Sequence, residues 1–444
     1  MEALKPSGFE GFGEIPADWE VTKMAFTFSF GKGLSITKED LQDEGVPSIT
    51  YGDIHSRFGF QINPEVDEVR CVDHRYLKSG RTALLQFGDF IFADTSEDIA
   101  GSGDFTHLNN HAPAFAGYHT ITARAKRELD VRFVAYLFDS EPFRNQIRNS
   151  VSGVKVFSIT QTILKNAKLL LPPMPEQQAI AALLDDCCGQ VDSMMADLER
   201  QVELLQQYKK ALITETVTKG LDKNAPMKDS GIEWLGEIPK HWEVKKIKYC
   251  TEKIGSGKTP LGGAEIYDSE GVIFIRSQNV YDDGLRLEDV VFINESIDRS
   301  MMSTRVRQGD VLFNITGASI GRCCIYDIAE RANVNQHVCI IRTNRTVLIP
   351  DYLRYALNSS LGQTQVYICQ MGGNRESVTF EKLGLFAIPL MSVDEQNVIV
   401  QYLDNACGKA NDIIAEKQKA IETMRQYKQS LIYEYVTGKK RIAH

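Results

Sequence analysis

An internal repeat constrains what this chain can fold into more than any other feature of its sequence. The segment "GEIPADWEV" at residues 13–21 returns as "GEIPKHWEV" at 236–244, a shift of 223 residues. "EQQAIAALLDDCCGQ" at 176–190 returns as "EQNVIVQYLDNACGK" at 395–409, and "QYKKALITETVT" at 207–218 returns as "QYKQSLIYEYVT" at 426–437, both shifted by 219. The repeat predicts two copies of one unit, each with an entry motif, a long insert and a second motif.

Composition places the chain among ordinary globular proteins. Its 444 residues allow two or three domains, and 43% are hydrophobic and 25% charged. No apolar run reaches the roughly 18 residues of a membrane span, and the opening "MEALKPSGFEG" lacks the layout of a signal peptide. The sequence therefore predicts a cytoplasmic protein with no membrane partner. Nine cysteines without a Cys-x-x-Cys pair favour small buried side chains over disulfides or metal ligands.

Charge limits the kind of nucleic-acid binding that the chain can support. The formal net charge of −9 argues against a DNA reader that acts alone through phosphate contacts. The inserts themselves are nearly neutral: residues 22–171 carry 17 Lys and Arg against 18 Asp and Glu, and residues 245–388 carry 17 against 16. We expect any DNA affinity of the isolated chain to be weak and salt-sensitive.

Each copy ends in a long helical pattern. From Glu176 to Thr218 there is no Pro and one Gly, and apolar residues alternate at spacings of four and three, the seam of a coiled coil. At about 1.5 Å per residue, such a helix is too long to stand without a partner. The simplest partner is the other copy in an antiparallel pair; packing on its own domain or on another chain are the alternatives. The predicted helix and subunit interface comprises Leu184, Val191, Leu198, Val202, Leu205, Leu403, Ile414, Ile421 and Met424.

The inserts combine strand and helix patterns in matching places. "GDFIFADTS" at 88–96 and "GDVLFNITG" at 309–317 each predict a turn and a buried strand, and "FVAYLF" at 133–138 and "YLRYAL" at 352–357 predict amphipathic helices. "GLSITKEDLQDEG" at 33–45 has no evident counterpart in "GSGKTPLGGAEIYD" at 255–268. The predicted fold class is α+β: two related mixed α/β domains separated by a long antiparallel two-helix coiled coil, a pseudo-two-fold internal repeat. The predicted domain boundaries are 1–171, 172–220, 221–388 and 389–444.

Possible catalytic motifs fail on spacing or context. "FEGFG" at 9–13 resembles a methyl-donor loop, but its copy carries Trp234 in place of Gly11. "GSGKTP" at 255–260 resembles a phosphate-binding loop, but Glu252 occupies the first glycine position and Pro260 stands where a helix would begin. The histidines have no metal-ligand spacing. We predict no catalytic site and no metal site in this chain.

The repeated motifs resemble those of the specificity subunits of type I restriction-modification systems. The likeness covers essentially the whole chain and is most specific in the Pro-to-Glu-Gln segments at 172–177 and 389–396, the paired entry motifs, and "NVNQHV" at 333–338. The first insert departs from the last motif, with "NNHAPAFAGYH" at 109–119. The resemblance implies a non-catalytic subunit in which each insert reads half of a bipartite site in double-stranded DNA and the helices set the spacer. It further implies docking of two methyltransferase subunits and association with restriction subunits, which would carry S-adenosylmethionine, ATP and Mg²⁺; no cofactor is expected on this chain.

Side chains that match base edges in a DNA groove are mostly Arg, Lys, Asn, Gln, Ser or Thr on loops of a rigid scaffold. We therefore place the predicted DNA contacts in the inserts and not on the helices. In the first insert they are Lys32, Tyr51, Arg57, Thr95, Ser96 and Lys155. In the second they are Lys258, Thr259, Arg276, Gln278, Asn279, Asn314, Thr316, Asn374 and Arg375. The alternative function is a non-catalytic coiled-coil scaffold whose inserts bind protein partners.

Overall fold

Two compact units share the two long helices of the chain. The computed structural model describes residues 3–9, 11–153, 155–260, 262, 266–371 and 377–442. The first unit comprises Met1–Leu198 with Lys419–His444, and the second comprises Glu199–Gln418. Each unit therefore contains one insert together with one part of each long helix.

The first unit is a mixed α/β domain that packs on parts of the two long helices, which we call the helical base. Its strands are β1 (Leu4–Pro6), β2 (Glu14–Pro16), β3 (Glu20–Lys23), β4 (Phe28–Lys32), β5 (Val46–Ile49), β6 (Gln61–Ile62), β7 (Cys71–Val72), β8 (Phe90–Ala93), β9 (Thr95–Ser96), β10 (Phe105–Leu108), β11 (Phe115–Ala116), β12 (Thr120–Ala125), β13 (Phe157–Ser158) and β14 (Lys168–Leu171). Its helices are α1 (Met24–Thr27), α2 (Tyr51–Ser56), α3 (Tyr76–Ser79), α4 (Val131–Asp139), α5 (Glu141–Arg148) and α6 (Gln161–Asn166). The first long helix, α7, spans Met174–Lys219.

The second unit repeats this arrangement. Its strands are β15 (Met227–Asp229), β16 (Glu237–Pro239), β17 (Glu243–Lys246), β18 (Thr251–Ser256), β19 (Val272–Ile275), β20 (Val280–Tyr281), β21 (Gly284–Leu285), β22 (Val291–Ile293), β23 (Arg305–Val306), β24 (Val311–Asn314), β25 (Cys323–Ile325), β26 (Ala332–Val334), β27 (Val338–Thr343) and β28 (Ala387–Leu390). Its helices are α8 (Glu295–Ser300), α9 (Pro350–Asn358), α10 (Ser360–Met371) and α11 (Phe380–Gly384), and the second long helix, α12, spans Val393–Val436. The mixed α/β fold class and the two long helices are confirmed.

The sheets of the two units share a common core of strands but differ in strand number. In the first, the order β4-β12-β8-β10-β6 forms the main sheet, and β11-β5-β7 forms a side sheet in which β5 and β11 run parallel. In the second, β18-β27-β24-β25 is the main sheet, and β22-β19-β26-β23 is the side sheet, with β19 and β26 parallel. The predicted buried strands are β8 and β24, and the predicted amphipathic helices are α4 and α9, so both predictions are confirmed.

A repeated ion pair anchors each main sheet. Arg124 on β12 donates to Asp89, with 2.6 Å between Nη2 and Oδ2, and Arg342 on β27 donates to Asp310 at 2.7 Å. Both aspartates also accept a backbone N–H at 2.7 Å from three residues earlier, which closes the turn before the buried strand. Because each carboxylate is buried and has several donors, its charge is compensated.

The entry motifs recur because each supplies a tryptophan to the base of a long helix. Trp19 is fully buried, and its Nε1 donates to Oε2 of Glu176 at 3.0 Å; Trp242 does the same to Oε1 of Glu395 at 2.9 Å. The repeated "GEIP-x-x-WEV" segments and the Glu-Gln pairs therefore contact each other in each unit. We call this contact the joint; it comprises Trp19, Glu176 and Gln177 in the first unit and Trp242, Glu395 and Gln396 in the second.

The glutamine of each Glu-Gln pair completes this joint. Oε1 of Gln177 accepts the backbone N–H of Asp130, the residue that caps α4, at 3.0 Å, and its Nε2 donates to the carbonyl of Pro172 at 2.9 Å. Gln396 accepts the N–H of Ile349, before α9, at 2.9 Å. One side chain thus fixes the domain helix to the start of the long helix in each unit.

The joint of the first unit is more buried and more highly charged than that of the second, which leads to a stability prediction. Glu176 is 7% exposed and also bonds Arg441, at 2.7 Å, whereas the side chain of Glu395 is 33% exposed and bonds His241 at 3.0 Å. We expect Glu176→Ala to lower the unfolding free energy of its unit by about 3 kcal/mol, because it leaves the buried Nε1 of Trp19 without an acceptor and removes one of the carboxylates that bind Arg441. Glu395→Ala is the matched control, with an expected loss of about 1 kcal/mol. Urea denaturation measures both; equal losses would contradict this account of the joint.

Within each unit the long helices run antiparallel. In the first unit, Nζ of Lys428 lies 2.7 Å from Asp192, and Arg441, beyond the end of α12, reaches Glu176 near the start of α7. In the second, Lys417 donates to Gln201 at 2.6 Å and Lys209 donates to Asn411 at 2.8 Å. As the residue number rises on one helix, that of its partner falls.

The seam positions of α7 become less buried toward the middle of that helix, whereas Ile414 at the middle of α12 is buried. Leu184, Val191, Leu403, Ile414 and Ile421 are buried. Leu198, Val202, Leu205 and Met424 are half-buried.

In the part of the chain that the structure describes, none of the helices has the length and apolar character needed to cross a membrane.

Candidate nucleic-acid interface

Three predicted DNA contacts of the first domain line one open cleft of about 860 Å³. Tyr51 begins α2, and Thr95 and Ser96 form β9 immediately after the buried strand β8. Tyr51 and Thr95 are half-buried, and Ser96 is buried. The fold thus brings together two segments that are distant in the sequence.

A capping box sets the position of Tyr51. The backbone N–H of Thr50 donates to Oδ2 of Asp53 at 2.9 Å, and the Thr50 hydroxyl donates to the same oxygen at 2.7 Å. Because this box fixes the first turn of α2, Tyr51 is held at the cleft edge, where its ring centroid lies 5.4 Å from that of His119.

His55 forms the floor of the same cleft and is held by two acceptors. Its Nδ1 lies 2.8 Å from Oδ2 of Asp104, and its Nε2 lies 2.8 Å from the carbonyl oxygen of Thr95. The hydrogen bond to Asp104 raises the pKa of His55, and burial opposes this effect. Since both nitrogens face acceptors, the imidazolium form satisfies the site best, and Arg144 supplies a second cation to Asp104 at 2.5 Å.

The second domain builds the corresponding loop with different side chains. The backbone N–H of Arg276 donates to Oδ1 of Asn279 at 2.9 Å, as Thr50 does to Asp53. Asn279 is buried and donates to the carbonyl of Arg286 at 2.9 Å, so its amide supports the loop. Arg276 is half-buried and donates to the carbonyl of Asp289 at 2.8 Å, whereas Gln278 is exposed.

The loop after β24 likewise contains one buried residue that supports the loop and one that is partly exposed. Asn314 is fully buried and its Nδ2 donates to the carbonyl of Ser277 at 2.8 Å, which ties this loop to the loop after β19. Thr316 is half-buried, and its Oγ1 lies 2.6 Å from Nδ1 of His337. Of these two predicted contacts, only Thr316 is partly accessible to a ligand in this conformation.

The remaining predicted contacts are exposed or lie outside the described residues. Lys32, Arg57, Lys155, Lys258 and Thr259 are exposed. Arg57 lies instead over the ring of Phe58 and lines a smaller pocket toward α7. The predicted contacts Asn374 and Arg375 lie outside the described residues.

The backbone shows that the divergent segments of the two inserts do correspond. The N–H of Gly33 donates to the carbonyl of Thr120 at 3.0 Å, and that of Gly257 donates to Val338 at 3.0 Å. A Cβ on either glycine would meet a backbone oxygen at about 2 Å or less, 1.8 Å for Gly33 and 2.0 Å for Gly257, so neither position accepts a side chain. The segment at 33–45, which has no evident counterpart in the sequence alone, thus starts at the same place as the glycine-rich loop of the second insert.

The same comparison finds the first insert's counterpart of "NVNQHV". The N–H of Gly117 donates to the carbonyl of Ile49 at 2.6 Å, and that of Asn335 donates to Ile275 at 3.0 Å, each at the end of a parallel strand pair. These bonds make 115–120 equivalent to 333–338, and they align His119 with His337. In the sequence, the one sign of this equivalence is a histidine near the end of each segment, "NNHAPAFAGYH" and "NVNQHV".

Each domain contacts the helical base through complementary charge. In the first unit, Arg57 and Arg132 face Asp185 and Asp192 of α7 across a pocket of about 400 Å³. In the second, a pocket of about 480 Å³ is lined by Asp282, Asp283 and Arg354 of the domain and by Lys209, Lys210 and Asp404 of the long helices, so both signs of charge lie on each side. A matching tyrosine joins domain to helix in both, with Tyr136 donating to Asp185 at 2.8 Å and Tyr355 donating to Asp404 at 2.6 Å.

No group of three or more His, Cys, Asp or Glu residues that could hold a metal ion occurs in the part of the chain that the structure describes. The described cysteines are free thiols, and burial raises the pKa of several, Cys324 and Cys339 each to about 12. These thiols are protonated at neutral pH, which suits core side chains rather than nucleophiles or ligands.

The fold and these loops define a class of protein: two related α/β domains linked by a shared pair of long helices. Each domain presents a loop cluster, formed by the loops after β5, β8 and β11 in the first domain and after β19, β24 and β26 in the second. The sequence profile of the type I restriction modification DNA specificity domain matches residues 16–204 and 239–423. Since the two matches cover most of the chain, the protein belongs to this family of specificity subunits.

Individual relatives match two thirds or more of this chain. The chain is 27% identical over 440 residues to the type I restriction enzyme MjaVIII specificity subunit of Methanocaldococcus jannaschii, covering 96% of this chain and 94% of that one. It is 27% identical over 306 residues to the EcoBI specificity subunit of Escherichia coli, covering 67% and 63%. The fold is similar to that of a chain solved in work on complex assembly and conformational transition of the type I R-M system, with a TM-score of 0.71 at 17% identity, covering 96% of this chain and 99% of that one.

Proposed function

We propose that this chain selects the DNA sequence for a type I restriction-modification complex by reading one half of a bipartite site with each domain. One observation carries the proposal: the same loop cluster, fixed by the same backbone bonds, is built twice with different exposed side chains. A shared scaffold with differing polar groups is what two readers of two different half-sites need.

Two kinds of DNA contact are assigned to the loops. Lys32, Lys155 and Lys258 are exposed cations suited to phosphate oxygens, which set position and affinity but not sequence. Tyr51, Thr95, Gln278 and Thr316 lie in or beside the loop clusters and carry groups that bond base edges. The buried amides of Asn279 and Asn314 hold the loops in shape.

The proposal includes partners that supply the chemistry. Two methyltransferase subunits would carry S-adenosylmethionine, and restriction subunits would carry ATP and Mg²⁺, so this chain performs no catalysis and holds no cofactor. Its net charge of −9 supports this division, because a chain with so few spare cations depends on partners for much of the phosphate contact. Because the proposed substrate is cellular DNA, we expect the complex to act in the cytoplasm.

The helices carry a surface suited to those partners. Met194 and Tyr427 in the first unit, and Ile413 and Tyr208 in the second, are 52%, 57%, 43% and 58% exposed. Each stands immediately before a position of the continued four-three seam pattern, namely Met195, Lys428, Ile414 and Lys209, and the two pairs are related by the 219-residue repeat. An apolar stripe wider than the seam is the pattern of helices that pack in a larger bundle, and its duplication supports one docking site for each of two methyltransferase subunits.

This docking surface leads to a prediction. We expect Met194→Glu combined with Tyr427→Glu to reduce co-purification of the methyltransferase subunit at least tenfold at one of its two sites, because burying a carboxylate against an apolar helix costs several kcal/mol. Ala196→Glu is the matched control, since Ala196 is exposed on α7 and lies neither in the seam pattern nor immediately before one of its positions. Stoichiometry by native mass spectrometry gives the result, and equal effects of the two changes would remove this surface from the account.

Selection of duplexes from a random library tests the proposed function. The complex with the methyltransferase should enrich two short sequences at a fixed separation, whereas the chain alone should bind weakly and lose affinity steeply as salt rises. Enrichment of no sequence by a complex that assembles normally would favour the scaffold alternative, in which the inserts bind proteins.

A further inference from the structure

The equivalent histidines His119 and His337 occupy the same backbone position in the two domains. Each follows the strand that runs parallel to the side-sheet strand β5 or β19 and precedes the central strand β12 or β27. The carbonyl of each accepts a backbone N–H from the loop after the buried strand, from Asp94 in one domain and Ile315 in the other, both at 3.0 Å. The fold therefore delivers one imidazole to the same point of each loop cluster.

The side chains are anchored through the same ring nitrogen. Nδ1 of His119 lies 3.1 Å from Oδ1 of Asp94, and Nδ1 of His337 lies 2.6 Å from Oγ1 of Thr316. Because an ionised carboxylate only accepts, Nδ1 of His119 carries the hydrogen, and in the neutral ring Nε2 is then an acceptor. The amide Nε2 of Gln336 lies 3.4 Å from Nε2 of His337, which agrees with the same tautomer in the second domain.

The backbone of His119 shows that a side chain is retained there at a cost. Its φ of 55° is the one left-handed value among the described residues other than glycine. Glycine would adopt this conformation without strain, whereas a histidine there is strained. The side chain is 56% exposed at the rim of the cleft lined by Tyr51, Thr95 and Ser96. Burial in a core therefore does not account for it.

We propose that His119 and His337 are specificity-determining residues, one for each half-site, whose Nε2 accepts a hydrogen bond from the exocyclic amino group of an adenine or cytosine. In the major groove these amino groups are the base-edge donors, and their position distinguishes a base pair from its reverse. The inference rests on the proposed function. It assigns one base pair in each half-site to the histidine of the domain that reads that half-site. Nδ1 holds the ring to the loop, and Nε2 reads the base.

Replacement by asparagine separates these two roles. The Asn amide nitrogen reproduces the Nδ1 donor but offers nothing at the position of Nε2, and asparagine tolerates the left-handed conformation well. In the complex with the methyltransferase, we expect His119→Asn to lower discrimination at one base pair of one half-site about fivefold to tenfold. His337→Asn should do the same in the other half-site only. His111→Asn is the control, because His111 stacks on Phe87 with a centroid distance of 4.7 Å, outside the residues that line the cleft.

Methylation rates on duplexes with single substitutions at every position give the readout. A half-site preference that is unchanged by His119→Asn overturns the inference, and so does an equal loss at all positions or at both half-sites, which would indicate an anchor alone. A wild-type complex without any sequence preference would instead count against the proposed function, so the two failures are distinguishable.

Discussion

Removing one heptad from each long helix should shorten the gap between the two half-sites or abolish recognition altogether. The segments 199–205 of α7 and 414–420 of α12 face each other, as the bond between Lys417 and Gln201 shows. Deleting both keeps the seam in register but shortens the pair by about 10 Å at 1.5 Å per residue. On DNA with about 34 Å per turn, this corresponds to about three base pairs. The motif methylated by the altered complex measures the effect.

Two controls make the heptad result specific. Alanine at the exposed residues Glu203 and Leu204 leaves the helix length unchanged and should leave the gap unchanged. Deletion of 199–205 alone mismatches the seam and should destabilise the helical pair. If the paired deletion yields a folded complex with the original gap, the helices do not set the spacer.

Exchange of the second domain should have the other large effect. Replacing residues 245–388 with the corresponding insert of a relative that reads a different sequence should change one half of the methylated motif completely and leave the other half intact. The physical reason is that the loop clusters of each domain are built within that domain, on β8 and β12 or on β24 and β27.

The charged contacts with the helices set a design rule for this exchange. The incoming domain has to keep acidic residues at the positions of Asp282 and Asp283, since Lys209 and Lys210 line the same pocket. A chimera that carries basic residues there should be less stable, and changing both lysines to glutamate should restore it. A chimera that folds but alters both halves of the motif would contradict independent reading by the two domains.

Much of this architecture follows from sequence because it depends on local patterns. The repeat, the long helices, the buried strands and the amphipathic helices are set by periodicity and turn residues, and the structure confirms them. The joint between Trp19 and Glu176 could be located as two motifs, but their contact depends on tertiary packing, which no local pattern contains.

The loops were harder to predict because similar polar residues have opposite roles there. Asn279 and Gln278 are neighbours in sequence, yet one is buried within the loop and the other is exposed. The equivalence of His119 and His337 depends on backbone pairing with β5 and β19, while the surrounding residues differ. Burial and pairing of individual loop residues are properties of the folded chain, so composition and spacing could not distinguish them.

The most direct test of the central claim is to co-express this chain with its cognate methyltransferase subunit and map methylated bases in the host DNA by methylation-sensitive sequencing. Our account predicts methylation at one bipartite motif with a fixed gap, absent when this chain is omitted. A stable complex that methylates no defined motif, or one that keeps the same motif without this chain, would contradict it.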